Sequence, residues 1–154
     1  AGGKGGISEG GVRLPAIIRY LGVIPSGKKH TQMLTVLDVF PTLAAAVNIP
    51  CGNTEVFDGR DRWLALRDEK IIAPQPFVVM NQRQMAVIDY PWKIITPTAE
   101  RGRQRPQLFD LSSDPSESKD VSADHADIMD RLTRLGKALA ATAPEQTQPQ
   151  PKRP

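Results

Sequence analysis

The stretch FVVMNQRQMAVIDYPWKIITPTAERGRQRPQLFDL, residues 77–111, contains four short runs of β-forming residues. Polar residues or turn-forming Pro and Gly separate the runs, which is typical of strands joined by short connections. The stretch therefore predicts a small antiparallel sheet. Its expected strands are Phe77 to Met80, Met85 to Ile88, Trp92 to Thr96 and Gln107 to Leu111.

Beyond this sheet the apolar spacing becomes that of a helix. Between Asp124 and Thr142, aliphatic side chains recur at steps of four, three and four residues, at Ile128, Leu132, Leu135 and Leu139. That spacing places them on one helix face, which we expect to pack on the sheet. Residues 144–154 contain no large apolar side chain, so we expect a disordered tail.

The sequence before the sheet predicts a different mixture of elements. Pro15 to Tyr20 is a short apolar run that favours a buried strand. A helix is expected to begin at Asp38 as its cap, with Pro41 in the first turn and Asn48 and Pro50 at its end. The apolar group around Trp63 indicates one further helical turn.

Composition excludes several classes of function. The formal net charge of +3 is mild. The densest basic cluster consists of Arg101, Arg103 and Arg105, and no aromatic residue lies between them. We interpret that cluster as a solvated loop, or as a contact for a phosphate or acidic partner, and we expect no nucleic-acid binding. The single Cys51 excludes an internal disulfide and a multi-cysteine metal site. No apolar run approaches the roughly 20 residues that cross a bilayer.

The N-terminal segment holds the residues with the clearest chemical potential. Six of its first eleven residues are glycine, and Lys4 lies between two glycine pairs. A lysine without bulky neighbours can reach an anion as a point charge, although the same composition also suits a flexible surface loop. Further on, Glu9 and Arg13 could brace a tight turn by ion pairing, with Gly10 and Gly11 at positive φ.

Gly3-Lys4-Gly5 followed by Glu9-Gly10-Gly11-Val12-Arg13-Leu14-Pro15 resembles the GKG(S/T)xxEGGxRxP segment of arylsulfatase-type sulfatases, in the alkaline-phosphatase-like superfamily. Gly6 departs from that pattern, because the family has Thr or Ser there. Further similar segments follow in the same order across residues 2–135. They are Ile24 to Gly27, Leu37 to Leu43, Asp58 to Asp61, Trp92 to Ile95, Leu108 to Leu111 and Asp114 to Glu117.

The resemblance implies a fold and a role for one residue. It implies the end of a sulfatase-type α/β sandwich (1–70), then a small subdomain of a four-stranded antiparallel sheet packed on a C-terminal helix (71–143), then the tail (144–154). Lys4 matches the lysine that contacts the sulfate group, so it is our candidate catalytic and substrate-binding residue. Glu9, Gly10, Gly11 and Arg13 match positions that support the loop.

The same resemblance implies that essential parts of the chemistry lie outside this chain. The family nucleophile is a formylglycine made within a C/S-x-P-S-R motif, and no such motif occurs here. Ca²⁺ or Mg²⁺ would likewise be bound outside this chain, which alone should be inactive. His30 and His125 match no family catalytic histidine, and we expect both to be exposed. Family members suggest a periplasmic or secreted location.

Two other functions remain open at this point. A member of the same superfamily could hydrolyse a phosphate or phosphonate ester, with an unmodified Thr or Ser as nucleophile. The chain could also be a non-catalytic interaction module from a truncated gene. The partners expected for a sulfatase are a sulfate-ester substrate and the N-terminal catalytic part of the same protein.

Overall fold

The computed structural model describes residues 2–51, 58–98 and 105–142. The chain divides into two compact units, one formed by residues 1–13 together with 76–154 and the other by residues 14–75. The domain division near residue 70 stays a prediction. None of the helices in the described ranges is both long and apolar enough to cross a bilayer.

Four strands in the first unit form one antiparallel sheet, in which they lie in the order of the sequence. Each strand pairs with the strand next to it in sequence. In the register of these pairs Phe77 lies opposite Ile88, Asp89 opposite Trp92 and Lys93 opposite Phe109. This confirms the predicted small sheet, with ends that shift by one residue. The strands are β1 Phe77–Met80, β2 Gln84–Asp89, β3 Trp92–Pro97 and β4 Gln107–Asp110.

Local hydrogen bonds shape the first connection and cover the last strand. Asn81 Oδ1 accepts bonds of 2.8 Å from the amides of Arg83 and Gln84, which fixes the turn between β1 and β2. On the outer side of β4, Asp120 accepts the Leu108 amide at 3.1 Å. The Val121 amide donates to the Leu108 carbonyl at 2.9 Å. The edge of β4 is therefore paired at Leu108, which limits its exposure to other strands.

The long helix Ala126–Ala141 covers one face of this sheet. Leu132 is completely buried with Val87, Ile94 and Leu108, and Ile128 and Leu135 pack against that cluster. Leu139 is half-buried. The predicted apolar stripe is thus confirmed, most strongly at its centre. Here the helix backbone lies close to β2, since a Cβ on Gly136 would stand 2.5 Å from Val87 Cγ2.

In the second unit, Asp38 lies inside the helix that it was predicted to cap. The helix Val36–Ala46 has Thr35 as its N-cap. Asp38 is buried, and its carboxylate accepts the Thr35 amide at 2.9 Å and the Arg60 amide at 2.8 Å. The predicted start was wrong because Asp38 acts from the third helical position, binding back to the N-cap. The helix stops before Asn48, whose φ is +56°.

The apolar run from Pro15 to Tyr20 forms no strand, contrary to our prediction. All six residues are exposed, and Ile17 is 99% exposed. A strand is stabilised by hydrogen bonds to a neighbouring strand, and within the described ranges the only sheet is the four-stranded one. The short helix Trp63–Asp68 confirms the helical turn expected around Trp63.

Replacing Leu132 by Asp should undock the long helix from the sheet. The change places a carboxylate among Val87, Ile94 and Leu108 where nothing can pair with it, so we expect a loss of several kcal/mol. Urea unfolding followed by circular dichroism would measure it. Thr133→Asp, at the adjacent exposed position, is the control and should cost less than about 1 kcal/mol. Equal stability of both variants would contradict the packing described here.

Candidate functional site

Lys4 lies at the corner of a tight turn made by Gly3, Lys4, Gly5 and Gly6. The Gly6 amide donates to the Gly3 carbonyl at 2.9 Å, and Gly5 has a φ of +83°. A positive φ at the third residue of a four-residue turn is the geometry that glycine supplies at little cost. The Lys4 side chain is exposed, and the residues on either side of it carry no side chain. Its ammonium group is therefore accessible to a ligand.

Contacts on two sides hold this turn in place. The Asn81 side-chain amide donates to the Gly5 carbonyl at 3.1 Å. Ile7, which follows the turn, is only 2% exposed and anchors the segment in the interior. The turn therefore combines an accessible lysine with a backbone that is fixed to the sheet unit.

The helical turn α1, Glu9–Val12, packs against the turn of residues 3–6, here called the lysine turn. A Cβ on Gly11 would lie 2.4 Å from the Gly6 carbonyl oxygen and 2.8 Å from that of Gly3. We expected positive φ at Gly10 and Gly11, but the positive-φ glycines of this segment are Gly2 and Gly5. Gly11 is instead required because two backbone segments approach closely.

Glu9 forms its ion pair with Lys93, and the predicted partner Arg13 is exposed. Lys93 Nζ lies 2.8 Å from Glu9 Oε1 and 2.7 Å from Glu117 Oε1. The other oxygen of Glu117 accepts the Glu9 amide at 2.7 Å. The predicted pair of Glu9 with Arg13 was therefore wrong. Leaving the buried Lys93 ammonium without a carboxylate would cost far more free energy than leaving Arg13 exposed to water.

The three residues form a buried polar cluster on the face of the sheet opposite the long helix. The side chains of Lys93 and Glu117 are 0% and 2% exposed, and that of Glu9 is 11% exposed. Lys93 alternates with Ile94, which faces Leu132, so Lys93 points to the other face. Removing one member of a buried ion pair typically costs 3–5 kcal/mol.

A network of short-range hydrogen bonds shapes the loop that carries Glu117. Asp114 accepts the Lys119 amide at 2.9 Å and the Ser118 amide at 2.7 Å. The bond from the Lys119 amide is the main cause that lowers the pKa of Asp114 below its ordinary value. A lowered pKa means that this carboxylate stabilises the fold fully above its unfolded pKa. The contribution is lost as the pH falls through the folded pKa.

The sequence also drew attention to two histidines, a basic cluster and the C-terminal tail. His125 was expected to be exposed, but it packs its ring on Trp92 with the centroids 4.9 Å apart. His30 was also expected to be exposed, yet its Nε2 is buried. Both side chains are half-buried, so both predictions were wrong, and for His125 the Trp92 ring supplies part of the cover. Arg101, Arg103 and residues 144–154 lie outside the described residues.

Lys93 and Glu117 were not singled out as site residues from the sequence. The usable signal was Lys93 itself, because a lysine between Trp92 and two isoleucines in a strand lies where apolar residues are usual. A buried lysine requires a carboxylate partner. One partner, Glu9, lies 84 residues earlier in the chain and the other lies on the loop after β4, so sequence spacing alone could not identify them.

Residues that could ligate a metal do not cluster in the part of the chain that the structure describes. No group of three or more His, Cys, Asp or Glu side chains in the ranges 2–51, 58–98 and 105–142 could hold an ion. The resemblance implies that Ca²⁺ or Mg²⁺ is bound by residues outside this chain, and that expectation stays a prediction.

Comparison with known proteins identifies the relatives of this chain. The N-acetylgalactosamine-6-O-sulfatase of Bacteroides thetaiotaomicron is 29% identical over 146 residues, which cover 87% of this chain and 28% of that protein. The steryl-sulfatase of Mus musculus is 27% identical over 184 residues, covering 96% of this chain and 30% of that protein. The chain is a homologue of the sulfatases. No family model matches it.

The fold of this sulfatase homologue is also found among solved structures. The crystal structure of Ps i-CgsB superposes with a TM-score of 0.66 and 23% sequence identity, over 77% of this chain and 27% of that protein. This likeness supports the arrangement of the small sheet and its C-terminal helix. The sulfatase homologue thus spans less than a third of the length of the relatives that it matches.

In this sulfatase homologue, Gly11→Ala should displace the lysine turn. The new methyl group would clash with backbone carbonyls, which cannot rotate away as a side chain can, so we expect a cost of about 1–3 kcal/mol. Thermal unfolding and amide hydrogen exchange at Gly6 would report it. Gly3→Ala is the matched control, since its Cβ would meet nothing within 4 Å. Unchanged exchange in Gly11→Ala would refute the close packing.

Proposed function

We propose that this chain is the C-terminal part of a sulfuric ester hydrolase and that Lys4 contacts the sulfate group of the substrate. The observation that supports this most directly is the Lys4 turn, which presents an unobstructed ammonium group from an anchored backbone. The curated relatives described above are sulfatases, which favours a sulfate ester over a phosphate or phosphonate ester.

The proposed role of Lys4 is electrostatic. As the nucleophile, proposed to belong to the rest of the protein, bonds to sulfur, the bond between sulfur and the ester oxygen breaks and its electron pair leaves with that oxygen. An ammonium group already placed against the oxygens of the sulfate ester stabilises their negative charge in the transition state without reorganisation at the moment of reaction. Lysine suits the task because its compact charge can approach from a range of directions.

The remaining site residues support this role without touching the substrate. Glu9 begins the helical turn below Lys4, and Gly11 allows that turn to approach the carbonyls of Gly3 and Gly6. Gly10 and Arg13, both exposed, are proposed as loop support by resemblance alone. The nucleophile, a formylglycine in the family, and the metal ion are proposed to belong to the rest of the protein. We also propose a periplasmic or secreted location, again by resemblance.

Lys4→Ala in the full-length protein should lower kcat/KM by roughly 2–4 kcal/mol of transition-state stabilisation. The side chain is exposed, so the melting temperature should hardly change. Hydrolysis of a chromogenic aryl sulfate would measure the first quantity and calorimetry the second. Lys137→Ala, an exposed lysine on the long helix, is the control and should keep full activity. Full activity of Lys4→Ala would reject the assignment.

The 154-residue chain alone should not hydrolyse aryl sulfates, because its sequence contains no C/S-x-P-S-R motif. It should also bind no catalytic Ca²⁺. Isothermal titration with Ca²⁺ and a sulfatase assay of the purified chain would test both statements. Tight Ca²⁺ binding together with turnover would mean that the nucleophile and metal ligands lie within these residues, which would overturn the proposed division of labour.

A further inference from the structure

We propose that Lys93 and Glu117 are positioning residues that set the place of Lys4 by holding Glu9 from two directions. The inference rests on the proposed function of Lys4 and assigns a role to two residues that lie far from it in sequence. Neither is expected to touch the substrate. Their effect passes through the backbone between Glu9 and the lysine turn.

The contacts form a closed triangle around Glu9. Glu117 Oε2 accepts the Glu9 amide at 2.7 Å, and Lys93 Nζ holds the Glu9 carboxylate at 2.8 Å. The third side joins Lys93 to Glu117 at 2.7 Å. Because both the backbone and the side chain of Glu9 are held, the residue can neither shift along the chain nor rotate without breaking a charge-assisted bond.

Because these charged groups are buried, their contacts tolerate little change in geometry. The side chains of Lys93 and Glu117 are 0% and 2% exposed, so water does not readily replace a lost partner at either group. An ion pair in such a place contributes less to net stability than well-packed apolar side chains often would. The gain that we infer is therefore a defined position for Glu9.

The position of Glu9 is passed to Lys4 over a short distance. Glu9 is the first residue of α1. Gly11, also in α1, packs on the carbonyls of Gly3 and Gly6, which are the first and last residues of the lysine turn. The approach is close enough to exclude even a methyl group, so a shift of α1 must move the turn. A displacement of about 1 Å can cost on the order of 100-fold in rate.

Two substitutions of Glu117 in the full-length protein test the proposal. Glu117→Met removes both the ion pair and the acceptor for the Glu9 amide. Glu117→Gln keeps an acceptor and leaves Lys93 and Glu9 as a one-to-one pair, so it is the variant expected to fold without difficulty. Arg131→Gln is the matched control, because it breaks the exposed ion pair between Arg131 and Asp89 in the same unit.

The first measurement is amide hydrogen exchange in residues 2–13, which does not depend on activity. We expect faster exchange there in Glu117→Met, partial restoration in Glu117→Gln and no change in Arg131→Gln. Exchange in the helix Ala126–Ala141 should stay as in the unaltered protein and serves as the check on folding. Unchanged exchange of residues 2–13 in a folded Glu117→Met variant would overturn the proposal.

The second measurement combines each Glu117 variant with Lys4→Ala in an aryl sulfate assay. With Lys4 present, Glu117→Met should lower kcat/KM by roughly 10- to 100-fold, with a smaller loss in Glu117→Gln. In the Lys4→Ala background the same changes should have little further effect, because they act through Lys4. An equal loss in both backgrounds would overturn the positioning role.

These measurements also distinguish a failure of the proposed function of Lys4 from a failure of the positioning role of Lys93 and Glu117. If Lys4→Ala alone retains full activity, the proposed function of Lys4 fails, and the positioning role falls with it whatever the exchange shows. If Lys4→Ala loses activity while the Glu117 variants act independently of it, only the positioning role fails.

Discussion

The ammonium group of Lys93 is buried on the face of the small sheet opposite the long helix, and it requires the carboxylates of Glu9 and Glu117 beside it. An ammonium group at 0% exposure would be prohibitively costly without partners, so the segments that bear Glu9 and Glu117 are bound to that face of the sheet. One buried charge thereby brings together the N-terminal segment, the middle of β3 and the loop after β4. The need to pair the buried Lys93 therefore also determines where the lysine turn lies.

The two faces of the sheet illustrate how far the sequence could lead. The helix side was predictable because Ile128, Leu132 and Leu135 follow a period that depends only on local geometry. The opposite face was not, because its polar cluster joins residues separated by 108 positions, and nothing in the local pattern links them. Long-range charge pairing depends on the fold as a whole, so only the three-dimensional structure reveals it.

The Pro15 to Tyr20 segment shows a different limit. Its apolar, β-branched composition favours a strand, yet composition describes only one of the two partners that a strand requires. A helix closes its hydrogen bonds within one segment, which explains why the predicted helices were found even where their exact starts differed. Asp38 is the example, because its carboxylate serves the N-cap from within the helix.

The role proposed for Lys4 places two demands on its turn that usually conflict. A cation that contacts an anionic group needs open space around it, which glycine neighbours provide, but glycine also loosens the backbone that must aim the charge. Here the stiffness comes from contacts outside the turn: Asn81 holds the Gly5 carbonyl, and Gly11 fills the space beneath Gly3 and Gly6. Because these restraints come from the rest of the fold, the position of the lysine turn depends on residues such as Lys93 that are distant from it in sequence. A motif of adjacent residues can therefore identify the lysine without revealing what keeps it in place.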